Sequence, residues 1–469
     1  MLGRLFCKKE DDESKLAKAE AQMIEYAKKF GDRDADSFVI RAEDTPIPAN
    51  ALPFKKKYVS HGRGRSRNSS SRTTNCKGKT RKKKKNKTFP LKHDLHMHHI
   101  KVTSKQADES REDIPIVLLH GYLNGALYFY RNLVSLSNHF NTVYSVDTLG
   151  MGLSSRKPGL LKKVGRSVEE TEDFFVEALE AWRKANNIET MILAGHSIGG
   201  YIAVPYAEKY PHRVQHLLLL TPVGLTRENP EELKDLLDQM SWTQRQTASM
   251  VRYLFDCGVT PASFLRKLPR SRAKSMVASY VQRRLPVIVD QKEQNAVADY
   301  LYYLAMVPGF GENMLNRVLR SSSHGIQPTV DRIPKLKVPK VSIIYGEQDW
   351  MDIEGGIEAC EKSRLNPQRM QCEVYQLQDA GHLMMLDNWR GFYSSVVTMC
   401  QQPQQKQKPQ QSQQSQQQPQ QNGETKALRL PPNYPKPTLV RTTRSTSIVL
   451  TIDISLEERL DKVSSATKF

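Results

Sequence analysis

No apolar run in this 469-residue chain approaches the roughly 18 residues that a membrane-spanning helix requires. The start is equally poor in apolar sequence: Met1 to Glu10 carries basic residues with no hydrophobic stretch behind them, which argues against a secretory leader and for an intracellular protein. Cysteine is sparse. Cys7, Cys76, Cys257, Cys360, Cys372 and Cys400 are scattered, none in a Cys-x-x-Cys pair, which argues against a disulfide framework or a zinc cluster. Nothing in the sequence calls for a metal or another cofactor. Acidic residues are missing altogether between Lys55 and Lys87, where fifteen Lys or Arg stand without one Asp or Glu. That stretch supplies fifteen of the net +20 charges and leaves about +5 for everything else. Tyr58 is its one aromatic residue and it matches no nucleic-acid fold, so nucleic acid is a poor partner for it. An anionic membrane or lipid-droplet surface is the better one.

With 38% hydrophobic and 26% charged residues, the composition is that of a soluble protein with room for one catalytic domain and long extensions. Residues 1–92 mix a charged helical pattern, roughly Glu13 to Lys29, with Gly, Ser and Lys-rich sequence, and read as a basic, largely disordered extension. Residues 401–425 are a Gln and Pro tract that closes the folded part at about residue 400. Residues 426–469 form a tail of open role, within which Ser447 to Ser455 alternates like a strand.

Between residues 93 and 400 the pattern is regular. Pro115–His120, Thr142–Asp147, Thr190–His196, Val214–Leu220, Val341–Gly346 and Gln371–Leu377 read as short strands, several alternating with helical segments. Ser167 and Glu170 make a capping box ahead of an apolar face of Phe174, Phe175, Ala178, Leu179 and Trp182. Strands joined by helices predict an α/β domain with a mainly parallel sheet covered on both faces, and Leu95–Val102 fits an antiparallel edge strand. From 221 to 336 the strands give way to helical sequence, an insertion in the position of a cap over the active site.

The chemistry gathers at Gly195-His196-Ser197-Ile198-Gly199, directly after a strand and before a helical run. Small flanking residues let a serine sit on a sharp strand-to-helix turn with its hydroxyl exposed. A serine hydroxyl needs an imidazole to take its proton and a carboxylate to hold that imidazole in one tautomer. Asp349 and His382 follow the next two suitable strands, in the order Ser, acid, His that this architecture uses. Asp352, three residues on, is the rival acid. The backbone N–H of Ile198 and that of Tyr122 or Leu123, after His120-Gly121, are the candidate oxyanion donors.

Taken together, His120-Gly-Tyr, Asp147 to Arg156, Gly195 to Tyr201, Pro308-Gly-Phe-Gly311 and Tyr345 to Met351 resemble one subfamily of the α/β-hydrolases. Its members include the animal lipid-droplet lipase co-activator, the N-acylphosphatidylethanolamine lipase, their plant homologue and the yeast cardiolipin deacylase. The likeness spans about Ile114 to Cys400. It implies the α/β-hydrolase fold, acyl-ester or N-acyl hydrolysis on glycerophospholipid-type substrates, and catalytic roles for Ser197, Asp349 and His382. The animal co-activator lacks the nucleophilic serine that this chain keeps. His382-x4-Asp387 matches a pattern associated with lysophosphatidic acid acyltransferases, the alternative activity. In the cap, Arg266, Lys267, Arg270, Arg272, Lys274, Arg283 and Arg284 are candidates to face phosphate head groups or water.

Overall fold

The computed structural model describes residues 2–31, 37–53, 95–105, 113–156, 167–365, 370–400 and 438–440. The basic stretch Lys55 to Lys87, the Gln and Pro tract 401–425 and Ser447 to Ser455 lie outside them.

Chain order runs α1 (Leu2–Ala27), β1 (Phe38–Ile47), β2 (Leu95–Ser104), β3 (Ile116–Leu119), α2 (Tyr130–Leu136), β4 (Thr142–Val146), α3 (Val168–Ala185), β5 (Met191–His196), α4 (Ile198–Lys209) and β6 (Val214–Leu220). A helical insertion follows, comprising α5 (Pro230–Gln239), α6 (Trp242–Asp256), α7 (Pro261–Leu265), α8 (Arg270–Arg284), α9 (Gln291–Met306) and the single turn α10 (Leu315–Val318). The chain then returns through β7 (Lys340–Gly346), α11 (Glu354–Arg364), β8 (Gln371–Leu377), α12 (Met384–Asp387), α13 (Trp389–Cys400) and β9 (Thr438–Val440).

These strands form one sheet in the order β1-β2-β4-β3-β5-β6-β7-β8-β9. From β4 to β8 neighbours are parallel; β1 and β2 at one side and β9 at the other pair antiparallel. Alternate side chains of one strand feed opposite cores. Ile192 and Ala194 of β5 pack with Leu133 of α2, Phe392 of α13 and Leu16 of α1, whereas Met191 and Leu193 pack with Trp182 of α3, Tyr206 of α4 and Ala359 of α11. Burial on both faces explains why these strands read as continuous apolar runs. The capping box at Ser167 and Glu170 is made, both bonds being present.

Four expectations are corrected. Residues 1–92 are not simply an extension: Leu16, Ala19, Met23, Tyr26 and Ala27 form the buried stripe of α1, and β1 pairs along its whole length with β2. Strand β2 is antiparallel but is not an edge, because β1 covers it. On the far side β9 extends the sheet past residue 400. Finally, Cys360 of α11 and Cys372 of β8 form a disulfide, with their Cα atoms 5.0 Å apart. The helix-to-strand crossover brings the two sulfurs together over 12 residues, a relation that adjacency in sequence does not reveal. Among the described residues no helix is long and apolar enough to cross a membrane.

Candidate active site

Strand β5 is buried from Met191 to His196, and the chain turns at Ser197 directly into α4. Ser197 adopts φ 54° and ψ −118°, outside the regions that L-residues favour. Strain of this kind costs about 1–3 kcal/mol and persists only where surrounding contacts impose it. Here the Ser197 N–H donates to the Leu220 carbonyl at 2.9 Å, and the Ser197 carbonyl accepts from the Tyr201 and Val223 amides. The pentapeptide glycines are a steric need, since a Cβ at Gly195 would lie 2.4 Å from the Gly199 carbonyl oxygen.

The acid and base stand on the loops after β7 and β8. His382 Nδ1–H donates to Asp349, at 3.1 Å to Oδ1 and 3.4 Å to Oδ2. Asp349 is almost wholly buried, and its Oδ1 also accepts the Met351 N–H at 3.1 Å. Asp352 instead accepts the Glu354 N–H at 2.9 Å, in the first turn of α11, whose N-cap is Ile353. The two loops are stitched together by Glu347 N–H to the Leu377 carbonyl and Gln348 N–H to the Ala380 carbonyl.

His196, beside the nucleophile, donates from Nε2 to the His382 carbonyl at 2.9 Å, with the two rings 5.0 Å apart. Burial, reinforced by the neighbouring His382, pushes His196 well below the usual imidazole range, so it serves as a neutral donor. The Thr221 hydroxyl gives the same carbonyl a longer contact, 3.5 Å, and the Trp350 ring flanks His382 at 5.2 Å. No hydrogen bond joins Ser197 Oγ to His382 among the described residues. The acid–base half of the triad is thus closed and the base–nucleophile half open, as unliganded sites commonly are.

Gly121 lies against the nucleophile: a Cβ there would sit 3.2 Å from Ser197 Cβ and 2.7 Å from His196 Nδ1. The turn carrying the Tyr122 and Leu123 amides therefore runs beside Ser197, closed by the Asn124 N–H to the Gly121 carbonyl, and Ile198 opens α4 on the other side. Leu123, with φ 55°, carries the bend.

Asp387 is engaged within the protein. Its Oδ2 accepts the Gly381 N–H at 3.0 Å and its Oδ1 lies 3.4 Å from Arg284 of the cap helix α8. Burial raises its pKa above the ordinary aspartate value, against the opposing effect of these partners. Other cap cations are also paired within the protein: Arg266 with Glu312, Arg270 with Asp12 at 2.7 Å and Lys274 with Asp299 at 2.8 Å.

Several supporting residues are invisible to motif reasoning about the triad. Asp147 binds the Ala126 and Leu153 amides, each at 2.7 Å, and fixes the loop behind the nucleophile. The buried Arg156 donates to the carbonyls of Gly152 and Val307, tying that loop to the end of α9, and burial pushes its pKa down to about 10. Both residues fall inside the quoted Asp147 to Arg156 stretch, which was the available signal. Glu20, His98 and Asp147 bring potential ligand atoms within 4.8 Å of one another. His98, however, is spent on carboxylates through both nitrogens, Nδ1 to Asp44 at 2.7 Å and Nε2 to Glu20 at 3.0 Å. Burial works against the charged ring, but these hydrogen bonds prevail and hold it up to about 10, so it has no lone pair for a metal.

A sequence profile described as alpha/beta hydrolase fold matches residues 114–388. A protein of Oryza sativa subsp. japonica named probable 1-acylglycerol-3-phosphate O-acyltransferase is 31% identical over 299 residues, covering 63% of this chain and 69% of its own length. The (lyso)-N-acylphosphatidylethanolamine lipase of Mus musculus is 28% identical over 298 residues, covering 62% and 80%. Among solved structures, the carboxylesterase CesB of Bacillus subtilis aligns with a TM-score of 0.45 at 15% identity, covering 82% of this chain and 98% of that one.

Proposed function

The chain belongs to the α/β-hydrolase fold family, and from that premise we propose that it is a serine acyl hydrolase acting on glycerophospholipid-type lipids. The observation that carries the reading is the His382–Asp349 hydrogen bond beside a serine held at positive φ. Ser197 Oγ attacks the acyl carbonyl while His382 takes its proton, and Asp349 holds the imidazole in the tautomer that makes this possible. The amides of Ile198 and Tyr122 receive the developing oxyanion. His382 then returns its proton to the departing alcohol or amine, leaving an acyl-enzyme on Ser197 that water cleaves. The substrate class, acyl ester or N-acyl phospholipid, agrees with the printed name of the mouse relative. The enzyme works at an intracellular membrane or lipid-droplet surface, drawn there by the basic arm Lys55 to Lys87.

Acyl transfer is the second reading, supported by the printed name of the rice relative and by His382-x4-Asp387. It shares the acyl-enzyme and differs in the acceptor, a lysophospholipid hydroxyl in place of water. The contacts of Asp387 with Gly381 and Arg284 favour a holding role for that residue over a direct one. A fluorophosphonate probe tests the shared chemistry. Wild-type protein is labelled, Ser197→Ala is not and melts normally, and its turnover of a short-chain ester falls by about 10³-fold or more. Equal labelling of the alanine variant overturns the assignment.

A further inference from the structure

Among the described side chains of helix α6 none is fully buried. Ala248 and Phe255 are half-buried, and the Asn316 side chain donates to the Phe255 carbonyl, holding that side to the protein. At 100° per residue, Trp242, Tyr253, Met250 and Leu254 fall within an arc of about 120° on the opposite side. They are 73, 64, 58 and 39% exposed and face outward, with the exposed polar Thr243 and Gln246 between them. Four large apolar side chains exposed on one face of a single helix mark a contact face.

Charge and position say what covers it. Arg245 and Arg252 are exposed along one flank of the stripe. From α6 to the end of α8 the sequence holds nine Lys or Arg and one acidic residue, Asp256; Arg245, Arg266, Arg270, Lys274 and Arg284 pair with carboxylates of the protein, and the others add to the positive charge of this region. Helix α6 also belongs to the insertion between the end of β6 and the start of β7, and Ser197, Asp349 and His382 occupy the carboxyl ends of β5, β7 and β8. At that same end Ile47 pairs with Leu95, because β2 runs antiparallel to β4 with His99 opposite Val146. The fifteen cations between Lys55 and Lys87 therefore leave and rejoin the sheet at its catalytic end. Trp and Tyr at the edge of an apolar stripe with Arg beside them is the pattern of a helix lying in a lipid interface rather than crossing it.

We propose that α6 lies flat in the boundary between head groups and acyl chains of an anionic phospholipid surface, with Trp242, Met250, Tyr253 and Leu254 inserted and the catalytic end turned toward the lipid. This rests on the lipid acyl hydrolase reading and supplies what electrostatic attraction alone does not, a salt-resistant apolar contact with a fixed orientation.

The test uses the full chain and vesicles of phosphatidylcholine and phosphatidylserine, with phosphatidylcholine brominated on its acyl chains as a depth probe. Bromines quench the fluorescence of Trp242, and Trp242→Phe removes that component. W242S/M250S/Y253S/L254S weakens vesicle binding in 0.5 M salt by roughly tenfold or more and lowers turnover of vesicular phospholipid in parallel, with hydrolysis of a soluble short-chain ester unchanged. Unaltered vesicle affinity in the quadruple variant, or no quenching of Trp242, overturns the proposal. So does a concentration-dependent dimer that the same substitutions abolish, since the stripe would then join two copies of the chain. Absent hydrolysis of the soluble ester by wild-type protein counts against the Ser197 reading instead, and the binding measurements still decide the proposal.

Discussion

Strand β5 and helix α6 stand at opposite extremes of burial. Every residue from Met191 to His196 is enclosed, a Cβ cannot be added at Gly195, and the serine that follows is bent into a conformation its neighbours enforce. Helix α6 shares almost nothing with a core, and its largest side chains face outward. Rigid enclosure holds reacting atoms where they must be, whereas an exposed stripe can meet a deformable surface without a matching shape. On the proposed reading, catalysis and capture fall to different elements, so substitutions should separate them.

The largest expected effect lies on the enclosed side. Asp349→Asn lowers kcat on a short-chain ester by about 10²–10⁴-fold, because the imidazole loses its tautomer control, with little change in melting temperature. Asp352→Ala does the reverse, leaving kcat within about twofold and costing roughly 1 kcal/mol of stability as the Glu354 N–H loses its acceptor. A larger rate loss for the second variant would exchange their roles.

A smaller effect belongs to Asp387, which joins the catalytic loop to the cap. Asp387→Asn lowers kcat by about tenfold as the Gly381 anchor loosens, and hydrolysis and transfer to a lysophospholipid acceptor fall by the same factor. Selective loss of transfer, measured with both acceptors on one preparation, would give Asp387 a direct part in acyl transfer.

The smallest effect on activity, and none expected on mechanism, comes from His98. Its imidazole is raised from 6.5 to about 10 by Asp44 and Glu20, which outweigh burial, so the stabilisation is complete below pH 6.5 and is lost as pH climbs toward 10. His98→Gln therefore depresses the melting temperature more at pH 6 than at pH 9.5, with kcat within about twofold at either pH. Equal losses at both would assign the residue to packing rather than charge.

The placement of the candidate site at the carboxyl ends of the strands was legible because its signals are local. The Gly-x-Ser-x-Gly pattern ends one strand buried on both faces and Asp349 closely follows another, and such apolar runs are conspicuous, whereas the strand ahead of His382, Gln371–Leu377, mixes polar and apolar residues. The first strand was hidden for the opposite reason. Phe38–Ile47 is only partly buried, carries Arg41, Glu43 and Asp44, and is held by backbone bonds to a partner 48 positions or more away. Neither hydropathy nor period reports such an interaction. The disulfide was hidden likewise, since its two sulfurs meet through a crossover that only the folded sheet creates. The His382-x4-Asp387 spacing was legible too, but not the contacts of its carboxylate with Gly381 and Arg284, which come from other elements.

The pairing of Ile47 with Leu95 makes the 47 residues between them a belt buckled at both ends rather than a free tail. Closing a loop costs only logarithmically in its length, about 0.6 kcal/mol for each doubling, so this belt can be lengthened or shortened without disturbing the sheet that holds it. Excising residues 55–87 consequently isolates the contribution of the basic charges, whereas cutting the chain at its beginning would also strip β1 and α1 from the fold.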